Sequence, residues 1–517
     1  MKLFMKYQTI VFFFSSLATI LIISGCHNVS EKVNPIDPPN ILILMSDNHS
    51  ADHLGCYGDP SVKTPHIDRL ASEGVLFSNA FCAAPSCSPA RAAMLTGQDI
   101  WRLGTAANLW SGFPKMDVYP QMMEENGYHV GIQGKGWGPG DAQPDGWTDN
   151  PGGKRYGSFE EFYNEKESNQ PWLFWYSSRD PHRPFRSEGW NKSGIDLESI
   201  EVPPYLPNHI DVKKDMADYY HEVQLFDQDV ANYLALLDEM GETENTMVIV
   251  CSDNGWQMPR GLANLYDFGS KIPLIVWWPK QIEGNRKIDD FVNLNDLAPT
   301  FLELANIEAP SEMTAKSLKG LLFENKEGTI DPSRNFVVTG RERHAYVRSN
   351  GLGYPGRALR TEDFLYIRNY EPDRWPAGDP PLYGDVDSHM LHYPAPTKLH
   401  LLVHKENPSV EPLFELSFGK RPFEELYDLK KDPYQLVNVA GLDGYAEIKN
   451  NLSHQLTEYL ITTNDPREIN QSFTWDTDTY FKEGDKRPKP SQEAIELLDL
   501  EEEYDYTTDN SNATSEN

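Results

Sequence analysis

The chain predicts an α/β fold in which a large, mostly parallel sheet is flanked by helices and followed by a smaller C-terminal subdomain with an antiparallel sheet. Two observations carry that expectation. From Pro39 to about Pro332, short apolar runs alternate with helical patterns, the order of a mostly parallel sheet with helices on both faces. From Asn335 onward the apolar segments are short and Pro-rich insertions separate them, notably Pro372 to Pro396. At 517 residues, with 39% apolar residues, 25 Tyr, 23 Phe and 12 Trp, the chain can bury a core of that size. The expected boundaries are an address over 1–26, a tether over 27–38, the α/β domain over 39–334, the C-terminal subdomain over 335–475 and an acidic tail over 476–517.

Lys2 and Lys6 precede a mostly apolar stretch from Ile10 to Ile23, and Ile23-Ser24-Gly25-Cys26 follows. Small residues before a cysteine, directly after an apolar core, resemble a bacterial lipobox. Cys26 is therefore expected to become the acylated N-terminus, anchoring the protein through lipid to the bacterial outer membrane, at the cell surface or on the periplasmic face. The other reading is a single transmembrane anchor, for which the apolar stretch is short.

Pro39 to Asn48 opens the first domain. Ile41 to Met45 are five consecutive apolar residues bounded by turn formers, which predicts a strand buried on both faces, hence parallel and central. Asp47 and Asn48 fall just past its carboxyl end, where open α/β sheets place ligands. Thr246 to Gly255 repeats the pattern and ends in Asp253-Asn254-Gly255. One Asp-Asn pair reads as a turn or cap. Two pairs, each after a buried strand, supply carboxylate and amide oxygens for a hard divalent cation, Ca²⁺ in preference to Mg²⁺.

Cys87-Ser88-Pro89-Ala90-Arg91 is followed at once by Ala92-Ala93-Met94-Leu95-Thr96-Gly97. Pro89 suits the first position of a short helix and Gly97 its stop. Residues four apart share a helix face, so Cys87 and Arg91 point at one volume, which also sees the helix's free N–H groups and can hold an oxyanion. Gly127 to Lys135 reads as a short strand ending in Gly-Lys. Trp172 to Ser177 reads as an aromatic strand running into Asp180-Pro181-His182-Arg183-Pro184. Tyr219, Val223, Phe226, Val230, Leu234 and Leu237 step by three or four and make one helix stripe ending near Gly241. Lys271 to Trp278 reads as a further buried strand and Asp296 to Asn306 as a helix. In the C-terminal part, Phe364 to Ile367 and Leu399 to Val403 read as strands of the antiparallel sheet.

Cys-x-Pro-x-Arg with a Leu-Thr-Gly stop resembles the signature of the type I sulfatases, and the strand-end pairs at 47–48 and 253–254, Lys135 and His182 agree with it. The resemblance runs from Pro39 to about Gly441 and includes the late Glu425 to Pro433 element. The nearest branch is that of the heparan sulfamidases (N-sulfoglucosamine sulfohydrolases), through Ser86-Cys87-Ser88-Pro89, Asp180-Pro181-His182-Arg183 and Gly261 to Tyr266. It implies an alkaline-phosphatase-like sulfatase fold and oxidation of Cys87 to formylglycine by a sulfatase-maturating enzyme. It implies a cation held by Asp47, Asn48, Asp253, Asn254 and residue 87. Arg91 and Lys135 would balance the sulfate charge, and His182 would protonate the leaving group. The implied substrate is a sulfated polysaccharide or its oligosaccharides, of the algal ulvan type or the heparan and glycosaminoglycan type. Three departures stand out: Asn48 where the family commonly has a second aspartate, Trp137 near the place of a histidine, and Leu262 in place of a basic residue, with Arg260 and Lys271 nearby. Two other readings stay open, a phosphodiesterase or phosphonate hydrolase of the same superfold and an inactive glycan-binding homologue.

A net charge of −32 argues against nucleic acid as a partner, because phosphate binding needs a basic surface. An anionic substrate must then be captured by a local positive pocket. Arg260, Arg343, His344, Arg374, Trp375 and His389 are candidates for gripping a sulfated sugar through guanidinium forks and aromatic stacking. The remaining cysteines fit no zinc module. Cys251 reads as an inert core thiol, and a disulfide between Cys56 and Cys82 is left open.

Overall fold

The computed structural model describes residues 38–385, 391–481 and 489–500, all within one compact unit. Cys26, His389 and the tail beyond 500 lie outside the described residues. Eight strands form the large sheet: β1 Asn40–Ser46, β2 Val75–Phe81, β3 His129–Gly134, β4 Lys154–Arg155, β5 Trp172–Ser177, β6 Thr246–Ser252, β7 Leu274–Trp277 and β8 Arg286–Asn293. Their order is β4-β3-β5-β1-β6-β7-β2-β8. Every neighbour pair is parallel except those of β7, which runs antiparallel to both β6 and β2. The expected strand at Lys271 to Trp278 is therefore shorter than its apolar run and reversed in direction.

β1 and β6 are buried at every position, as uninterrupted apolar runs require in a sheet covered on both faces. Their register decides the site. Met45 pairs with Cys251 and Ser46 with Ser252, so Asp47 and Asp253 leave the sheet side by side. On the other flank Met45 pairs with Ser177 and Gly134 with Ser177, which brings Lys135 to the same edge. The helix Cys87–Thr96 ends in Gly97, whose φ of +64° is the left-handed C-cap that glycine adopts without strain. It begins at Cys87, so Pro89 sits one turn in, still within the four residues whose N–H groups have no intrahelical acceptor. The predicted stripe lies on the buried face of the helix Ile210–Met240, capped by Gly241.

A second, antiparallel sheet has the order β12-β11-β10-β9, from β9 Phe336–Arg341, β10 Gly356–Thr361, β11 Phe364–Asn369 and β12 Glu424–Asp428. Leu399 to Val403, read above as a strand, is instead part of the helix Pro396–Val403. Pro396 fits its first turn, and an apolar run that short does not distinguish a strand from a buried helix. That helix packs on the long helix Ile210–Met240. Cys56, Cys82, Cys87 and Cys251 are free thiols, so the open disulfide is not formed.

Candidate active site

The strand ends and the Cys87 helix converge on one buried cluster. Sγ of Cys87 lies 3.5 Å from Oδ1 of Asp47, 3.7 Å from Oδ1 of Asn48 and 3.7 Å from Nδ2 of Asn254. Ligand atoms of Asp47, Cys87 and Asp253 all fall within 4.8 Å of one another. Nε of Arg91 donates to Oδ2 of Asp253 at 2.7 Å, and Nζ of Lys135 to Oδ2 of Asp47 at 2.7 Å. Nη1 of Arg91 donates to both Gly136 O and Ser177 Oγ, and Nη2, which makes no hydrogen bond, stands 3.7 Å from Asp47.

Asn48 occupies φ +63°, a left-handed conformation that Asn tolerates better than most residues. Its Nδ2 donates to Oε1 of Gln257 at 3.3 Å, which turns its Oδ1 toward Cys87. The amide at this position thus presents an oxygen to the cluster. Oδ1 of Asn254 is buried and accepts no hydrogen bond, an orphan oxygen of the sort a bound cation satisfies. The donor set of two carboxylates and two amides is hard oxygen, and it fits a Ca²⁺- or Mg²⁺-class ion.

The charges are tuned by their neighbours. Burial alone would raise the Asp47 carboxyl, but Lys135 and then Arg91 outweigh it and hold it well below the usual carboxylate range. At Asp253 burial prevails over Arg91 and the carboxyl is raised. Burial opposes the charge of Lys135, yet Asp47 keeps that ammonium above its ordinary value. Burial pushes the Cys87 thiol far up, leaving it protonated at neutral pH. His182 is shifted down by burial, with Asp47 pulling the other way, and its Nδ1 meets the carbonyl of Arg183.

A cleft of about 940 Å³ opens onto this cluster, with Asp47, Lys135, Trp137, His182 and Tyr393 among its walls. Tyr393 comes from the Pro-rich insertion, and Pro394 accepts a hydrogen bond from Arg183, so the insertion reaches the catalytic edge of the sheet. Trp137 is buried, donates from Nε1 to Ser88 O at 3.1 Å and packs edge-on against Phe113. It braces the first turn of the Cys87 helix. Leu262 is buried in the loop that holds the chain before Cys87, where Ala263 N–H bonds Pro85 O.

Sequence reasoning passed over Arg155 and Arg179, which line the cleft. Burial, with Arg179 adding to it, lowers the Arg155 guanidinium, so the two cations share one wall. The only available signal was Arg179 standing next to the Asp-Pro-His element. Gln257 was also missed. It accepts from both Asn48 and the Arg183 amide and ties the two loops together.

The sugar-gripping candidates correct in the other direction. Arg260 is buried, donates to Leu416 O and Gln435 O, and lies over the Tyr266 ring. Arg343 is buried against Tyr480 and bonds the Asp478 carbonyl. Arg374 is paired with Asp476 at 3.0 Å and bonds Gly353 O. None of the three lines the cleft. Their guanidiniums serve chain carbonyls that the irregular C-terminal loops leave without ladder partners. His344 is buried behind the site, with Nδ1 2.8 Å from Ser86 Oγ. Trp375 packs on the apolar core.

A cleft at the carboxyl edge of a doubly flanked sheet, with paired carboxylates and fixed cations at its floor, suits a hydrolase of anionic esters. The sulfatase family model matches residues 39–307, and the chain belongs to that family, the hydrolases of sulfuric esters. A model for the C-terminal region of N-sulphoglucosamine sulphohydrolase matches residues 260–375. An ulvan-active sulfatase of Formosa agariphila is 26% identical over 83% of this chain and 82% of its own length. N-sulphoglucosamine sulphohydrolase of Homo sapiens is 27% identical over 83% of this chain and 91% of its own. Among solved structures, BT4656 in complex with its substrate D-glucosamine-2-N,6-O-disulfate shares the fold, with a TM-score of 0.58, 20% identity and coverage of 84% of this chain and 100% of that one. The phosphonate monoester hydrolase of Agrobacterium radiobacter does so with a TM-score of 0.61, 18% identity and coverage of 83% and 96%.

Proposed function

We propose that the protein removes sulfate from a sulfated glycan by a formylglycine formed from Cys87, assisted by a Ca²⁺-class cation held by Asp47, Asn48, Asp253 and Asn254. The observation that carries this reading is the Cys87 thiol itself. It lies at the centre of the charged cluster, yet burial keeps it protonated, so as a plain cysteine it is a poor nucleophile. The hydrated aldehyde in its place supplies a hydroxyl able to attack sulfur. A bound cation would draw charge from the sulfate oxygens and favour ionisation of that hydroxyl.

The chain's own residues supply the rest. Asp253, with a raised carboxyl pKa, is placed to accept the nucleophile's proton. Arg91 and Lys135 neutralise the sulfate as charge builds on its oxygens. His182, on the cleft wall, protonates the departing sugar oxygen or nitrogen. The Arg155–Arg179 wall favours a substrate with a second anionic group, as sulfated polysaccharides carry along the chain. The names of the ulvan-active and glucosamine-sulfate relatives support a glycan as substrate.

The test pairs chemistry with mass. Protein made alongside a maturating enzyme should carry an aldehyde at residue 87 and release sulfate from defined sulfated oligosaccharides much faster than phosphate from phosphate or phosphonate esters. An unmodified thiol in fully active protein, or preference for the phosphorus esters, overturns the reading. The lipid anchor at Cys26 belongs to the same proposal, and an acylated Cys26 at the start of membrane-fraction protein is its check.

A further inference from the structure

Away from the cleft, three histidines and an aspartate gather where the long helix begins. His209 is the N-cap of the helix Ile210–Met240 and Asp211 follows inside its first turn, while His400 lies in the helix Pro396–Val403 and His404 caps that helix. The rings of His209 and His400 are 4.4 Å apart, and those of His400 and His404 are 4.6 Å apart. One ligand atom each from His209, Asp211 and His400 lies within 4.8 Å of the others.

We propose that this cluster is a second metal site, for a borderline transition ion of the Zn²⁺ class. His400 and His404 are four apart at a helix end, so both imidazoles face one side. At the start of the long helix, Nδ1 of His209 stands 3.3 Å from the Asp211 backbone N–H. The same nitrogen stands 3.3 Å from the Asp211 carboxylate. That spacing lets the imidazole nitrogen and the carboxylate oxygen share one cation, a proton in the free protein and a metal ion when one binds. Nitrogen ligands with one carboxylate suit Zn²⁺ and its neighbours, whereas the cleft cluster is built of oxygens for a harder ion. A metal here would clip the start of the long helix to the helix Pro396–Val403, which directly follows the insertion that carries Tyr393.

The experiment uses the full chain, first saturated with Ca²⁺ so that the cleft is occupied, and then titrated with Zn²⁺ by calorimetry and by equilibrium dialysis with elemental analysis. Wild type should take up one more Zn²⁺ than the His209→Ala/His400→Ala variant. His404→Ala should weaken that uptake about tenfold or more. Co²⁺ should give the visible bands of a nitrogen-ligated site in wild type and lose them in the double variant. Sulfate release without added zinc should be the same in both proteins, which separates this site from the catalytic one. Equal Zn²⁺ uptake and equal Co²⁺ spectra in wild type and the double variant would overturn the proposal, as would zinc binding that Ca²⁺ abolishes.

Discussion

Nε of Arg91 donates to one oxygen of Asp253 at 2.7 Å, and the other oxygen of that carboxylate accepts from the backbone N–H of Asn48 at 3.1 Å. Arg91 also faces Asp47 at 3.7 Å. One guanidinium, wholly buried, thus separates two buried carboxylates delivered by adjacent strands. Removing it leaves Asp253 without its paired counter-charge and Asp47 with Lys135 alone, whereas Lys at the same place retains the charge but not the fork. Arg91→Met should cost about 3–5 kcal/mol of stability, the usual range for a broken buried pair. Calcium should restore part of the loss by binding the folded state alone, while Arg91→Lys should lose less. Chemical denaturation with and without calcium measures this. A variant as stable as wild type in the absence of calcium would show that the guanidinium does not balance the pair.

Cys87 separates chemistry from folding. Its side chain is small, and its contacts in the cluster are weak sulfur bonds of 3.5 to 3.7 Å. Cys87→Ala should lower sulfate release roughly a thousandfold or more, because a covalent nucleophile cannot be replaced by its neighbours. Its denaturation midpoint should move by no more than about 1 kcal/mol in stability. Turnover by the alanine variant near the wild-type rate would remove residue 87 from the reaction.

These side chains were legible in the sequence for a physical reason. Asp47, Asp253 and Lys135 each follow a strand whose apolar run is readable, and parallel register then forces their ends together. Cys87 and Arg91 share a helix face by spacing alone. The cations on the cleft wall were not legible, because Arg155 lies on a two-residue edge strand and Arg179 in a loop. Nor were the burial of Arg260 and Arg343 and the pairing of Arg374 with Asp476: a guanidinium spent on loop carbonyls looks, in sequence, like one free to bind sugar. Leu399 to Val403 was misread because its short apolar run has no period long enough to separate strand from helix.

Arg155 and Arg179 make a prediction that distinguishes polymer from model substrate. A charge-assisted hydrogen bond is worth about 1.5–3 kcal/mol, so losing one should raise KM for a multiply sulfated oligosaccharide roughly tenfold or more. Arg155→Ala and Arg179→Ala should do this while leaving kcat/KM for a small aryl sulfate within about twofold. Equal losses on both substrates would place these arginines in the chemistry or the fold, not in recognition of a second anion.

Asp99 yields the pH dependence. It is buried beside Tyr459, whose hydroxyl donates to it at 3.2 Å, with Asp296 adding a like charge and Arg102 an opposite one. Burial dominates and raises its carboxyl to about 7. An unfolded aspartate titrates near about 3.9. Between those values the folded chain holds a proton that the unfolded chain has released, so stability falls as pH rises from about 4 and the loss is complete above about 7. Asp99→Asn keeps an oxygen for the tyrosine hydroxyl and removes the titration. Its unfolding temperature should match wild type near about pH 4, exceed it progressively toward about pH 7, and keep a constant lead at higher pH. Thermal melts of the two proteins across that range measure the gap. A gap that shrinks with rising pH, or a variant less stable at about pH 8, would mean the Asp99 carboxylate is charged and stabilising in the fold.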